Sequence, residues 1–235
     1  MNALAIRQVE ALDFKFEPKI WDFSVLEAKA VAAHWDKRKA ENPRLFNGRI
    51  LLSHRHEFDP SGAALRGAFM EVDFSAFLAW RDFGFPDLSV CNCFSMSALQ
   101  TREGAFVLGE MAPHTANAGQ IYFAAGTPDA KDIVGDRVDL FRSARRELKE
   151  ETGVAAAAVD YAPGWTIVYA PPRIACIKRV QLDIGIDQMR ARIDAFLATD
   201  RDAELGAVHF VRSRADIAPD KMPPFIAAYL RDVLG

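Results

Sequence analysis

The chain has 235 residues, half of them hydrophobic, and 29 Lys and Arg against 32 Asp and Glu give a formal net charge of -3. This balance gives no electrostatic reason to expect binding to nucleic acid or to an acidic membrane, and no apolar run approaches the roughly 18 residues that span a bilayer. The first residues, MNALAIRQVEALDF, lack the basic segment of a signal peptide, and three cysteines favour a reducing compartment over a disulfide framework. These features predict a soluble cytoplasmic protein with one large domain, or one domain and a small addition.

The first half of the chain alternates between predicted helices and β-rich segments. Residues 24–41 are predicted to form one helix, because Ser24 and Glu27 match a capping box and the Asn-Pro pair at 42–43 ends the pattern. The predictions that follow are strands at 49–58 and 64–74, a short helix at 75–84, and a hairpin within 89–111 that turns at Glu103-Gly104.

The second half carries more helix. The predictions are a strand at 121–126, a helix at 139–153, strands at 165–170 and 173–184, a helix at 187–198, a strand at 207–213 and a closing helix at 223–234. The strands cluster around a few helices without strict βαβ alternation. The predicted fold class is therefore α+β with a mixed sheet.

The helix at 139–153 has the most informative polar face. At about 100° per residue, its apolar residues share one sector, and Glu147, Glu150 and Glu151 fill the neighbouring sector at the spacing i, i+3, i+4. Arg146 lies one turn before Glu150, where it can hold that carboxylate. Two interpretations are open: a solvated helix with Glu–Arg pairs worth a few tenths of a kcal/mol each, or carboxylates that share a cation.

The second interpretation rests on the position of these glutamates beside the buried edge of the helix. Carboxylates packed there repel one another unless a cation neutralises them. Clustered carboxylate oxygens suit a hard divalent ion, Mg²⁺ first and Mn²⁺ second.

The order of residues in this helix resembles a known family motif. The segment RRELKEETGV, residues 145–154, is similar to the second half of the Nudix box, R-E-U-x-E-E-x-G-U with U aliphatic, and all seven specified positions match. The strand and glycine turn GQIYFAAGTPD also resemble the segment that leads into the box. The resemblance implies a Nudix-type mixed β-sheet sandwiched by helices.

The same resemblance implies roles for individual residues. Glu150 and Glu151 would be ligands of Mg²⁺ or Mn²⁺, Glu147 a further ligand or the base, and Arg146 the residue that orients them. Gly126, the glycine of the box, would lie at the substrate. Many members of the family also carry an acidic residue that reaches back to the metal, and Glu204 has that position, as an extra ligand or general base; a solvated loop acid is the alternative.

The first half of the box departs from the family pattern. Gly126 lies 20 residues before Arg146, where the family has fourteen, so the loop is six residues longer. Val138 stands where the pattern has a glutamate, and Asp136 or Asp139 are candidates to replace it.

A second resemblance covers the N-terminal third. The segments AAHWDKRKAENPRLFNGRILL and SAFLAWRDFG are similar to the N-terminal region of the UDP-glucose/UDP-galactose pyrophosphatases, a branch of the Nudix hydrolases. This implies an N-terminal α/β extension, residues 1–88, packed on a hydrolase domain, residues 89–235. It also implies that Phe46, Asn47 and Arg81 bind the nucleotide, although such aromatic and apolar matches are equally explained by packing alone.

Together the resemblances imply a pyrophosphohydrolase of nucleoside diphosphates linked to another moiety, with UDP-glucose or UDP-galactose cleaved to UMP and a sugar 1-phosphate. The alternatives are another nucleotide, such as ADP-ribose, NADH or a dinucleotide, or a non-catalytic Nudix-fold module that only binds a ligand. A pure binder has no need for the whole metal-binding pattern, which argues against the last alternative. The expected partner is a small nucleotide, without nucleic acid or membrane, and both monomer and homodimer stay open.

Overall fold

The computed structural model describes residues 4–199 and 203–235. Its strands are β1 (Ala5–Val9), β2 (Ala11–Phe16), β3 (Arg49–Phe58), β4 (Ala64–Asp73), β5 (Asn92–Gln100), β6 (Phe106–Met111), β7 (Ile121–Tyr122), β8 (Ala124–Gly126), β9 (Ile133–Val134), β10 (Arg137–Val138), β11 (Asp160–Tyr161), β12 (Trp165–Ala170), β13 (Arg173–Gln181) and β14 (Leu205–Val211). Its α-helices are α1 (Asp22–Leu26), α2 (Ala28–Glu41), α3 (Phe74–Asp82), α4 (Leu140–Thr152), α5 (Ile186–Leu197) and α6 (Pro224–Val233).

The strands form two mixed sheets. The larger sheet has nine strands, six of them in the order β1-β12-β13-β5-β6-β14. The other three are short: β11 pairs with β13, β7 with β6 and β8 with β5. The smaller sheet has five strands, in the order β3-β4-β2-β10-β9. Each sheet contains one parallel pair, β13 with β5 and β2 with β4. The predicted α+β class with mixed sheets is confirmed.

Helices cover both faces of the larger sheet. Successive residues of a strand point to opposite faces, so one strand contacts different helices on its two sides. Met96 of β5 packs in one core with Tyr229 of α6. Leu99 of the same strand packs in another core with Leu148 of α4 and Met189 of α5. This arrangement lays α4 against β5 and β8, with its polar edge beside the end of β8.

The N-terminal residues contribute to both sheets. Strand β1 is the edge of the nine-stranded sheet, where it pairs with β12, whereas β2 lies inside the five-stranded sheet. In the opposite direction, β10 crosses from the second half of the chain and pairs Val138 with Phe14 of β2. The division at residue 88 stays a prediction, and the two parts it separates exchange strands.

The structure corrects the first predicted helix. Residues 24–41 are covered by two helices, because the chain leaves helical geometry at Glu27, with φ -100° and ψ 17°. The capping box predicted from Ser24 and Glu27 does not form. Instead, α1 begins before Ser24, whose hydroxyl donates to the carbonyl of Trp21 at 2.7 Å.

The six additional residues before the box helix are folded. Residues 130–132 form a 3-10 turn, and β9 and β10 form a hairpin that turns at Gly135, whose φ of 64° is left-handed. The hairpin extends the five-stranded sheet. In the described part of the chain, no helix combines the length and apolarity that crossing a bilayer requires.

Candidate active site

The ends of α4 are fixed by its sequence. The carboxylate of Asp139 accepts hydrogen bonds from the backbone N–H groups of Phe141 and Arg142, at 3.0 and 2.9 Å, and so caps the first turn. Gly153 ends the helix in a left-handed conformation, φ 68°. Because Asp139 is used as the cap, and Asp136 is exposed on the hairpin turn, neither supplies an acid to the glutamates. Val138 is buried in the core.

The acid near the box is a different one, Asp132. Arg146 donates from Nη2 to Asp132 at 2.9 Å, and from Nη1 to Glu147 at 2.7 Å and Glu150 at 3.1 Å. Asp132 is fully buried. Burial lowers the pKa of Arg146, but the hydrogen bond to Asp132 and the charge of Glu147 more than offset this and raise it. Arg146 therefore stays charged and contacts two of the three predicted glutamates, Glu147 and Glu150; its role in orienting them stays a prediction.

The glutamates differ in exposure. Glu150 is half exposed, whereas Glu151 is buried, and one of its carboxylate oxygens accepts from the backbone N–H of Ala125 at 3.3 Å. Burial raises the pKa of Glu147 to about 7; Arg146 opposes the rise, and the charges of Glu150 and Glu204 add to it. Burial also raises the pKa of Glu151, with the charges of Glu147 and Glu204 acting in the same direction.

Gly126 lies directly against Glu147. A Cβ at this position would stand 2.1 Å from Oε1 of Glu147 and 2.3 Å from Cδ, far inside contact distance. The glycine of the box therefore gives the glutamate the space it occupies at the end of β8. This is a steric role beside the predicted one at the substrate.

One cleft of about 900 Å³ brings most of the predicted site residues together. It is lined by Glu147, Glu204, Gly126, Phe46 and Arg81, whereas Arg146, Glu150 and Glu151 are not among its described lining residues. Asn47 is not among the described residues that line it. Its amide oxygen accepts from the backbone N–H of Ser75 at 2.8 Å, in the first turn of α3, so its contact supports the helix.

Two hydrogen bonds link Arg81 to Tyr122 through Asn117. The side chain of Asn117 accepts from Arg81 at 3.3 Å and donates to the hydroxyl of Tyr122 at 3.2 Å. Burial raises the pKa of Tyr122, and the nearby charges of Glu151 and Glu204 raise it further. Sequence analysis missed Asn117 and Tyr122, since neither belongs to a motif, and it missed Asp132 because the longer loop moved the acid along the chain.

The donor set fits a hard cation, although the side chains are not assembled around one. Among the described residues, no three His, Cys, Asp or Glu side chains form a ready-made metal site, and Glu150 is turned toward Arg146. The charge of Glu204 nevertheless raises the pKa of both Glu147 and Glu151, and the charge of Glu147 adds to the rise at Glu151. A divalent ion at these carboxylates would remove that repulsion.

No family model matches the chain, and no curated protein matches it. Several solved structures are similar in part. They include an Ap4A hydrolase from C. elegans, 13% identical with a TM-score of 0.43, over 60% of this chain and 94% of that one. A Nudix hydrolase from M. smegmatis is 14% identical with a TM-score of 0.37, over 60% and 81%. A MutT protein from Methanosarcina mazei is 14% identical with a TM-score of 0.40, over 60% and 90%. Sequence identities of 13–14% and TM-scores below 0.5 do not carry the activities named for these proteins over to this chain.

Proposed function

We propose that this chain is a metal-dependent Nudix pyrophosphohydrolase that cleaves a nucleoside diphosphate linked to another moiety. One observation carries the proposal. Glu147 and Glu204 line the same cleft as Arg81 and the exposed ring of Phe46, with the buried carboxylate of Glu151 close enough to both glutamates to be affected by their charge. A cleft with carboxylates, cations and an aromatic ring suits a cation-bound diphosphate with a ring-bearing nucleoside.

The proposed ion is Mg²⁺, with Mn²⁺ as a substitute, held by Glu147, Glu150 and Glu151. Such an ion supplies charge neutralisation on phosphate oxygens and lowers the pKa of a water molecule. To join the site, the carboxylate of Glu150 would turn away from Arg146, where it now accepts at 3.1 Å.

The side chains of the cleft supply positioning and proton transfer. In the reaction the oxygen of a water bonds to phosphorus, its proton passes to a carboxylate, and the bridging P–O bond breaks so that two monophosphates leave. Glu204 is the proposed proton acceptor, and Glu147 is either a ligand of the ion or a second proton acceptor. Arg146 keeps Glu147 in place through its 2.7 Å hydrogen bond.

The proposed substrates are UDP-glucose and UDP-galactose, with UMP and the hexose 1-phosphate as products. Support comes from the sequence resemblance of the segments around Phe46 and Arg81, and from their placement in the cleft with Glu147. Phe46 has 81% of its surface exposed, so an aromatic face is open to stacking with a base. A pyrimidine site would select uracil through hydrogen bonds to its edge, because a wrong base leaves polar groups unpaired.

Hydrolysis of a nucleotide panel tests the proposal. UDP-glucose, UDP-galactose, ADP-ribose, NADH and a dinucleotide are each incubated with Mg²⁺ at matched concentrations, and products are separated by chromatography. We expect the UDP-hexoses to be turned over faster than ADP-ribose, with UMP as the nucleotide product. Turnover of ADP-ribose or NADH tenfold faster than any UDP-sugar would refute the substrate assignment and leave the chemistry standing. No turnover of any member would favour a module that only binds its ligand.

A further inference from the structure

The cleft is lined by cationic side chains as well as by the glutamates. Arg81 of α3 and Arg173 at the start of β13 both line it. Burial lowers the pKa of Arg173, and the charge of Arg81 lowers it further, so the two guanidinium groups are close enough to repel. The sequence pointed to Arg81 but not to Arg173, which belongs to no motif.

The positive charge of this pair is only partly neutralised. Arg81 lies 3.1 Å from a carboxylate oxygen of Asp82, but that carboxylate is shared with His34 at 2.9 Å and Arg38 at 3.6 Å. Arg173 makes no ion pair with any residue that the structure describes, and its guanidinium lies over the ring of Phe85, 5.0 Å from the centroid. Asp82 neutralises Arg81 only in part, and no described carboxylate neutralises Arg173. The net positive charge that remains in the cleft favours the binding of an anion.

The position of Phe85 is unusual and holds Arg173 at the cleft. Phe85 has a φ of 62° and is the only non-glycine residue with a positive φ among the described residues. Residues with a side chain rarely adopt this backbone conformation. Its backbone N–H donates to the carbonyl of Trp80 at 2.9 Å, and its ring packs edge-on against Trp80 with centroids 4.7 Å apart. This strained turn at the end of α3 places an aromatic face under the guanidinium of Arg173.

One of the arginines is linked to a residue near the glutamates. Arg81 donates to Asn117, which donates to Tyr122, and Tyr122 is close enough to Glu151 and Glu204 for their charges to raise its pKa. The cleft thus carries carboxylates and guanidinium groups, with the neutral side chains of Asn117 and Tyr122 near both Arg81 and the glutamates.

We propose that Arg81 and Arg173 bind one phosphoryl group of a diphosphate while the other lies at the glutamates, and that this pair selects diphosphates over monophosphates. The proposal rests on the proposed function for the identity of the substrate. Guanidinium groups bind phosphate oxygens through paired N–H donors in a fixed plane, and two of them around one cleft suit a phosphoryl group with several free oxygens.

Binding of inorganic pyrophosphate to the full chain in the presence of Mg²⁺ tests the pair without a nucleotide substrate. Isothermal titration in excess Mg²⁺ compares the wild type with Arg173→Gln and Arg81→Gln, and with Arg142→Gln, an exposed arginine on α4, as the matched control. We expect wild type to bind pyrophosphate more tightly than orthophosphate, each cleft variant to bind pyrophosphate about tenfold more weakly or worse, and the control to match wild type. Arg173→Lys keeps the charge but not the planar donors and should give an intermediate affinity.

Phe85→Leu tests the positioning role. It keeps an apolar side chain but removes the aromatic face, so we expect weaker pyrophosphate affinity and a raised KM for the UDP-hexose with little change in kcat. A kcat that falls with an unchanged KM would contradict positioning of a bound phosphoryl group.

The outcomes separate this inference from the proposed function. Equal pyrophosphate affinity in wild type and Arg173→Gln, or no binding by wild type, overturns the inference even if UDP-hexoses are hydrolysed. Arginine-dependent pyrophosphate binding in a chain that hydrolyses none of the nucleotides sustains the inference and overturns the proposed function.

Discussion

Arg146 is the residue on which the geometry of the carboxylates depends. Its guanidinium is shared by Asp132, Glu147 and Glu150, so the position of Glu147 also depends on Asp132, which lies fourteen residues before Arg146. Asp132 is itself placed by the 3-10 turn, in which its carboxylate accepts from the backbone N–H of Asp129 at 3.1 Å. The longer loop thus supplies the buried carboxylate that Arg146 contacts.

Replacing Asp132 by Asn should lower turnover about tenfold, the range seen when a group that orients a catalytic or metal-binding residue is removed. The amide keeps the size of the side chain but removes the charge that faces Arg146. Asp136→Asn, the same change on the exposed turn four residues later, is the control. Equal activity of the two variants in a steady-state assay would show that Asp132 does not position the site.

The glutamates themselves give a sharper prediction. Glu150→Gln and Glu151→Gln should each reduce turnover by orders of magnitude with the fold intact, because they remove metal-binding charge with little change of shape. Glu147→Gln should also be severe. Lys149→Gln, an exposed neighbour on the same helix, should be nearly silent. Retention of half the wild-type activity by both ligand variants at saturating Mg²⁺ would show that the metal assignment is wrong.

Helices and strands were predicted accurately where the residues that fix their ends lie within the segment itself. Helix α4 was predicted within one residue at each end, since its cap, its amphipathic face and its terminal glycine all lie in the segment itself. Strand β3 was predicted at the bounds observed, 49–58. Its apolar run and flanking turn residues are equally local.

Other elements depend on contacts between distant residues and could not be predicted this way. Strands β1 and β2 hold exposed charged residues, Arg7 and Lys15, and gain their partners from β12, β4 and β10. The same limit applies to the site. The glutamates were found from a local motif, whereas Asp132, Asn117, Tyr122 and Arg173 reach the cleft through tertiary structure.

The contact between β3 and β12 gives a prediction about pH. His56 of β3 lies 3.0 Å from the hydroxyl of Tyr169 of β12, and its Nδ1 is buried without a hydrogen-bond partner. Burial lowers the pKa of His56 from the ordinary 6.5. Well above pH 6.5 His56 is neutral in both the folded and the unfolded chain. Below pH 6.5 the unfolded chain binds a proton at His56 more readily than the folded chain does, so the free energy of unfolding decreases as pH falls.

The Tm of the wild type should therefore drop more steeply than that of His56→Gln between about pH 7 and pH 5. Thermal unfolding followed by circular dichroism at a series of pH values measures both slopes. The two proteins should have parallel profiles above about pH 7.5. Parallel profiles over the whole range would mean that protonation of His56 does not contribute to acid destabilisation.

At the scale of the whole molecule, the cleft is built from both halves of the chain. Phe46 and Arg81 reach it from the N-terminal part, whereas Glu147 and Glu204 reach it from the part that carries the box helix. The strand exchange through β1 and β10 fixes these parts against each other. A site of this kind requires the full chain, which is why each experiment above uses it.

The central claim is that the glutamates of α4 bind a divalent ion, and thermal unfolding with Mg²⁺ tests it most directly. A ligand that binds the folded state alone stabilises it in proportion to the logarithm of its concentration above Kd, and here it also relieves repulsion among buried carboxylates. We predict that the Tm of the wild type rises with added Mg²⁺ or Mn²⁺, and that the double variant Glu150→Gln/Glu151→Gln shows almost no rise. An equal rise in both proteins, or none in the wild type, would contradict the account.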